Sequence, residues 1–356
     1  MKNSRKVIDA HWHLYVTEDE KGRDFCAVMD EAIDAAGLAG INICSIPIYH
    51  DLGPAQNILP LIYKLHHPAA YAFGGVVYPE KPFRLPLPSG MDFLSQYEEL
   101  MEMGFDGIKM LETKPYEQKQ YQVFIDDPCY EGLFAACEKN ETPMIWHVAD
   151  PATFWDINRI PERFISRGWY YGDGTYMSYE QMYRQVLNVL DRHPHLKASF
   201  AHFFFLSENP ERLEELFEKY PEIMVDITPG AEMYADFREH HSFWRQFFIR
   251  YADRILLGTD TSVSGGDMGR FLGRYEAVRD FVTGEKEVEI IVETCPGLHL
   301  PDDACEKILH GNFERIAGET PKKVNIQALK KYVEKYRHLI ADEKILARID
   351  RALAQL

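Results

Sequence analysis

The chain is short of positive charge: 39 Lys and Arg stand against 56 Asp and Glu, leaving a formal net charge of −17 over 356 residues with no basic run. Nucleic acid and anionic membrane surfaces are bound through clustered Lys and Arg, so neither is expected as a partner. Long apolar runs are missing as well. No segment approaches the roughly twenty apolar residues of a membrane-spanning helix, and the amino terminus, MKNSRKV, leads into the first apolar run without a secretory segment. A cytoplasmic protein is expected. The six cysteines, Cys26, Cys44, Cys129, Cys137, Cys295 and Cys305, show no C-x-x-C spacing and lie in apolar contexts, which predicts buried free thiols and no thiolate-bound metal. No Gly-rich dinucleotide fingerprint follows the first strand candidate, and no low-complexity tract, Gly/Ser linker or short repeat divides the chain.

What is present is an alternation. Apolar, β-branched runs occur at 7–14, 41–48, 69–77, 107–111, 143–147, 196–201, 222–227 and 254–258. Between several of them lie stretches with helical apolar spacing, at 24–36, 91–103, 130–139 and 210–220, and Ser178 and Gln181 stand at capping-box spacing before another. Eight continuously apolar strands alternating with helices predict a parallel sheet covered on both faces, and eight units suggest a (β/α)8 TIM barrel; a doubly wound sheet is the structural alternative. Beyond about residue 320, Leu329, Val333, Tyr336, Ile340, Ile345, Ile349 and Leu353 recur at helical spacing. The expected organisation is therefore a catalytic barrel over 1–320 and a helical extension over 321–356, packing on the barrel or on a partner subunit of a homo-oligomer.

The polar residues at the carboxyl ends of these runs carry the chemistry. His11 and His13 share one face of the first strand, because side chains alternate with period two. Two neutral imidazoles there form a chelate for a divalent transition metal, with Asp9 one step deeper as a carboxylate able to hold a ligand imidazole. Lys109, His147, His202 and Asp260 lie at or near the carboxyl ends of the fourth, fifth, sixth and eighth runs. In a barrel these ends meet at one rim, where active sites sit. Three imidazoles and a carboxylate leave an open position on zinc, manganese or iron for an activated water. Asp260 can ligate the ion or take the proton from that water, and His202 can hydrogen-bond the substrate oxygen on which charge develops.

The order His11-x-His13, Lys109, His147, His202, Asp260 resembles the amidohydrolase superfamily. The segments IDAHWH, GFDGIKM, RGWYYGDGT, HPHLK before FAHFFF, GTD and ILHGNF resemble its amidohydrolase-related branch, which includes aminocarboxymuconate-semialdehyde decarboxylase. The resemblance spans residues 7 to about 318. It implies a divalent metal held by His11, His13, His147 and Asp260, and hydrolysis or decarboxylation of a carbonyl compound. In binuclear members a carboxylated lysine bridges two metals; the branch resembled here implies an unmodified Lys109 facing a substrate carboxylate, one metal, zinc before manganese or iron, and His202 free for catalysis.

The stretch from Val148 to Met177 is too long for an ordinary connection and is expected to be a lid or insertion. Arg159, Arg163, Trp169 and Tyr170 within it are candidates for binding a flat or carboxylated small molecule. His193 and His195 straddle Pro194 and are expected at the surface, His66–His67 and His240–His241 are expected to be structural, and His50 and Asp226 lie near the rim without an assigned role. The readings are a metal-dependent hydrolase of an amide, lactone or cyclic ester; a non-oxidative decarboxylase; and a non-catalytic ligand-binding barrel with a structural metal.

Overall fold

The computed structural model describes residues 5–15, 24–48, 52–230, 232–262, 268–291 and 293–356; His50 lies outside them. Eight parallel strands hydrogen-bond in sequence order: β1 (Ile8–Trp12), β2 (Gly40–Cys44), β3 (Ala70–Gly74), β4 (Gly107–Thr113), β5 (Met144–Val148), β6 (Ala198–Phe200), β7 (Met224–Asp226) and β8 (Ile255–Leu256). The end of β8 returns to β1 through Ala10 N to Leu257 O at 3.0 Å, Asp260 N to His11 O at 2.9 Å and His13 N to Thr261 O at 2.8 Å. The sheet thus curls into a TIM barrel, and the carboxyl ends of its strands share one rim.

Apolar periodicity and caps place the helices outside it. They are α1 (Phe25–Ala36), α2 (Ala55–His66), α3 (Phe93–Met103), α4 (Pro115–Tyr121), α5 (Glu131–Lys139), α6 (Glu162–Ile165), α7 (Tyr179–Arg192), α8 (Pro210–Lys219), α9 (Met233–Glu239), α10 (His241–Arg250) and α11 (Met268–Thr283). Asp24 caps α1, and the Ser178–Gln181 capping box before α7 forms in both directions. After α11 an antiparallel hairpin, β9 (Glu287–Ile290) and β10 (Glu293–Pro296), which has no counterpart in the sequence reading, leads to α12 (Asp302–Glu306) and α13 (Asn312–Ala317).

Helix α13 closes the barrel's amino-terminal end. Asn312 donates through its side chain to the carbonyls of Ala252 and Ile255 at 2.7 and 2.8 Å. That fixes Phe313 beneath the barrel, where its ring meets Tyr71 edge-on at 5.0 Å and stacks on Phe73 at 6.0 Å. These rings join Ile8, Ala10, Cys44, Ile145, Met224 and Leu256 in an interior core beneath the polar rim.

The C-terminal extension forms α14 (Ile326–Tyr336) and α15 (Glu343–Leu353), and both lie on the barrel of their own chain. Lys335 pairs with Glu99 of α3, Asn57 of α2 donates to Tyr332 Oη at 2.8 Å, and Arg348 pairs with Asp24 at 2.6 Å. This cover explains α2, which the sequence pattern does not mark: Ala55 through Lys64 are all buried, so no polar face meets solvent over that span, and Pro60 lies inside the helix. No helix among the described residues is long and apolar enough to cross a membrane.

Candidate metal centre

Strand β1 delivers both histidines to the rim, and their neighbours decide which nitrogens are free. His11 Nδ1 lies 2.8 Å from the Asp226 carboxylate, and His13 Nδ1 lies 2.8 Å from the carbonyl of Cys44. Both partners are acceptors, so each Nδ1 carries the ring's proton and each Nε2 presents a lone pair. The two Nε2 atoms face each other at 3.2 Å, and Asp260 Oδ1 stands 3.1 Å from that of His13 and 3.8 Å from that of His11. Three lone-pair donors converge, an arrangement that repels itself unless a cation sits beside them, and in this structure the Lys109 ammonium faces the one on His11. These residues form a compact group able to hold a metal ion, and the donor set suits zinc or its neighbours. Burial, followed by the charge of Lys109, lowers the His11 pKa to about 4, which keeps the ring neutral and available as a ligand.

Asp226, to which the sequence assigned no role, is the carboxylate that orients His11. Its other oxygen accepts from the main-chain N–H of His202 at 2.8 Å and of Thr228 at 3.1 Å. Burial raises its pKa, yet the charge and hydrogen bond of His11 outweigh that and hold it near 2. The expectation for Asp9 is corrected: its carboxylate accepts from the main-chain N–H groups of His11 and Thr259 and from the Thr259 hydroxyl, and touches neither imidazole. One layer deeper in the barrel, it ties β1 to the end of β8. Glycine at 258 makes that approach possible, since a Cβ there would stand 2.8 Å from the His11 Cβ and 2.7 Å from Thr228 Cγ2.

The remaining candidates surround this group. Lys109 places Nζ 2.8 Å from His11 Nε2, so its ammonium occupies the lone pair that a metal would take. Burial lowers its pKa. His147 stands outside the tight donor group: Nε2–H faces the carbonyl of Ala149 at 2.9 Å and Asp150 Oδ1 at 3.3 Å, leaving Nδ1 as its lone-pair atom, and burial followed by the charge of Lys114 lowers its pKa to about 3. His202 lies edge-on to His147, with ring centroids 4.9 Å apart. Its Nδ1 lies 3.2 Å from the Thr228 carbonyl, so the neutral ring offers a lone pair at Nε2, 3.9 Å from Asp260 Oδ2. In that form His202 accepts a proton; donating to a substrate oxygen requires the ring to be protonated first.

The backbone here is strained. His202, Phe203, Phe204 and Phe205 all have positive φ, from 48° to 58°, as do Asp260 at 48° and Ala149 at 61°. Left-handed conformations cost non-glycine residues roughly 1 kcal/mol or more each. Stacking of Phe200 on Phe204 at 3.8 Å and hydrogen bonds from Tyr183 and Tyr179 to the carbonyls of Phe204 and Phe205 hold the turn in place.

Above the donors lies a cavity of about 350 Å³. The 148–177 stretch forms one wall and carries its own apolar cluster of Phe154, Ile160, Phe164 and Tyr171. Of the four candidates in it, Trp169 faces the cavity and three do not. Arg159 pairs with Glu208 on the surface, Arg163 stacks over Phe164 with its centre 4.8 Å from the ring, and Tyr170 packs into the lid's cluster. Only Arg163 lies on the short helix α6; Arg159 and Tyr170 sit in the irregular backbone on either side of it. The charged groups that do line the cavity include Lys114, Asp150, Arg167, Arg270 and Arg274, none of them singled out by the sequence. Asp150 accepts from Lys114 at 2.9 Å, from Tyr171 Oη at 2.7 Å and from His147, and so links the lid to a rim histidine. A signal existed for Lys114 and Asp150, which follow the ends of β4 and β5 in chain order. His193, expected at the surface, is buried between Glu131 and Glu138 at 3.0 and 3.2 Å. His67 stacks on Tyr63 and His241 faces the Gly297 carbonyl, away from the cavity.

A parallel barrel with a His, His, Asp donor group at its carboxyl rim defines a class: barrel enzymes whose rim holds a divalent cation. The family follows from comparison. The family model described as Amidohydrolase matches residues 70–316, and the chain belongs to that family. Similar solved structures include an uncharacterized TIM-barrel protein from Bordetella bronchiseptica (16% identity, TM-score 0.53, covering 88% of this chain and 100% of that one). The 4-oxalomesaconate hydratase of Rhodopseudomonas palustris aligns at 12% identity and TM-score 0.51 over 94% of this chain and 99% of its own. The IDCase of Metarhizium anisopliae aligns at 14% and 0.51 over 88% and 97%. At such identities these likenesses speak to the fold alone. None of the curated proteins matches the chain.

Proposed function

We propose that this protein is a metal-dependent hydrolase of a small, carboxylated amide, lactone or cyclic ester. The observation that carries the reading is the convergence of the His11 and His13 lone pairs with Asp260 at the floor of a cavity lined by Lys109, Lys114, Arg167, Arg270 and Arg274. His11, His13 and Asp260 would hold one divalent ion, zinc before manganese or iron, with His147 Nδ1 as the next donor. A divalent ion bound there supplies Lewis acidity and brings the pKa of water toward neutrality.

The protein's own groups account for the rest. Asp226 and the Cys44 carbonyl hold the two imidazoles in the tautomer that donates through Nε2. Asp260 Oδ2 and His202 Nε2, 3.9 Å apart, bracket a position from which either can receive the proton of an attacking water. Lys109 sets an ammonium beside any oxyanion formed next to His11. The aromatic lid limits access of bulk water.

The same cationic lining supports a second reading, in which a carboxylate beside Lys109 leaves as carbon dioxide and the electron pair left on carbon takes a proton that water supplies through Asp260. Incubation of protein purified without chelators with carboxylated lactones, cyclic imides and aromatic acids separates the two. Ring-opened acid supports hydrolysis, headspace carbon dioxide supports decarboxylation, and neither product from metal-loaded protein contradicts both.

A further inference from the structure

Helix α11 carries arginines at positions 270 and 274, one turn apart, and both side chains reach the cavity while the residue after each, Phe271 and Tyr275, packs into the core. The Arg274 guanidinium is half-buried. Its Nη1 donates to the main-chain carbonyls of Asp260 at 3.1 Å and Thr259 at 3.4 Å, and among the described residues no carboxylate pairs with it. The nearby Asp260 carboxylate is turned away toward His13. A guanidinium held partly out of water, with Nη1 on two carbonyls and no carboxylate hydrogen-bonded to it, keeps donors for an arriving anion. In a chain of net charge −17, bringing two arginines to one cavity wall concentrates positive potential where a ligand enters.

We propose that Arg274, with Arg270 one turn before it, is an anion subsite that takes a carboxylate of the substrate directly beside the metal donors. The assignment rests on the metal-site reading above and deepens it, naming a substrate whose carboxylate lies within a few bonds of the reacting carbon. The planar guanidinium fork matches the two coplanar oxygens of a carboxylate. The opposite wall, Phe154, Phe164 and Trp169 with Phe205 beside the histidines, suits a flat organic body over a bulkier phosphorylated one.

Isophthalate, its uncharged diamide and phenyl phosphate serve as probes in calorimetric titration of the protein as purified, with metal content measured on each sample. Arg274→Gln can keep a hydrogen bond to the carbonyls while losing the charge, Arg274→Lys keeps the charge while losing the fork, and Arg250→Gln, which removes a surface partner of Glu214, is the control. The expected result is isophthalate binding weakened about tenfold to a hundredfold in Arg274→Gln, partly restored in Arg274→Lys and unchanged in the control, at unchanged metal content, with the diamide blind to all three. An isophthalate Kd within twofold of wild type in metal-loaded Arg274→Gln would overturn the subsite, as would tighter binding of phenyl phosphate than of isophthalate. Protein that carries no metal yet loses isophthalate with Arg274→Gln would refute the metal reading and leave the subsite standing.

Discussion

Asp226→Asn exchanges one buried carboxylate oxygen for an amino group, and the surroundings of that side chain set the size and kind of effect. One oxygen accepts from the main-chain N–H groups of His202 and Thr228 at 2.8 and 3.1 Å, the other from His11 Nδ1 at 2.8 Å. An asparagine has two orientations there. With its NH2 toward His202 and Thr228, the Thr228 main-chain N–H loses its acceptor at about 1–3 kcal/mol, the His202 N–H keeps only the Thr228 hydroxyl at 3.2 Å, and that hydroxyl loses the oxygen it donates to. With its NH2 toward His11, those donors keep their oxygen, and the imidazole must turn its lone pair to Nδ1 and carry the proton on Nε2. The second orientation is cheaper, and it moves a proton onto the atom that donates to the metal. The expected outcome is a folded protein whose metal affinity falls about tenfold to a hundredfold, or roughly 1.4–2.7 kcal/mol. Competition against a chromogenic chelator measures this. Folded Asp226→Asn protein that holds metal within twofold of wild type would refute the claim that the Asp226–His11 contact sets the donor tautomer.

Glu117 has its side chain buried beside Lys81 and Lys114, one oxygen lacks a partner among the described residues, and burial raises its pKa from 4.5 to about 7. The folded state holds its proton more tightly than the unfolded chain, so this contribution is full below pH 4.5 and is lost as pH rises through about 7. Over 2.5 units it amounts to about 3 kcal/mol. Glu117→Gln should be more stable than wild type at pH 8 and similar near pH 4.5 in urea titrations; parallel pH profiles for the two proteins would count against the burial argument. Phe313→Ala empties the ring beneath the barrel and should cost about 3–5 kcal/mol. A loss under 1 kcal/mol in the same titration would mean that the barrel floor is filled by other side chains.

How far the sequence was legible follows from what each signal depends on. The strands were readable because parallel strands, buried on both faces, are continuous apolar runs. His11, His13, Lys109, His147, His202 and Asp260 were readable because each lies at or near the end of such a run, and topology alone brings strand ends together. Contacts set by side-chain reach across elements were not readable. Asp9 and Asp226 are both acidic residues on barrel strands, and only the register of β7 on β8, and of the end of β8 on β1, puts the latter on His11. Arg159, Arg163 and Arg167 lie within nine positions on one lid, and its irregular backbone turns only the last toward the cavity. Arg270 and Arg274 sit on a helix whose pattern was not read as one, because its apolar residues are divided by glycines and arginines. The hairpin β9–β10 and helix α2 were lost for related reasons, short length in the first and a Pro-interrupted, fully covered face in the second.

Hydrolysis at this rim requires that His11, His13 and Asp260 hold one divalent ion. Elemental analysis of protein purified without chelators, repeated on His13→Ala and Lys109→Ala, measures this directly. About one zinc, manganese or iron per chain, lost with His13→Ala and retained with Lys109→Ala, is the predicted result. Absence of any divalent metal from protein that remains folded and catalytically active would contradict it, as would two ions per chain of which Lys109→Ala removes one.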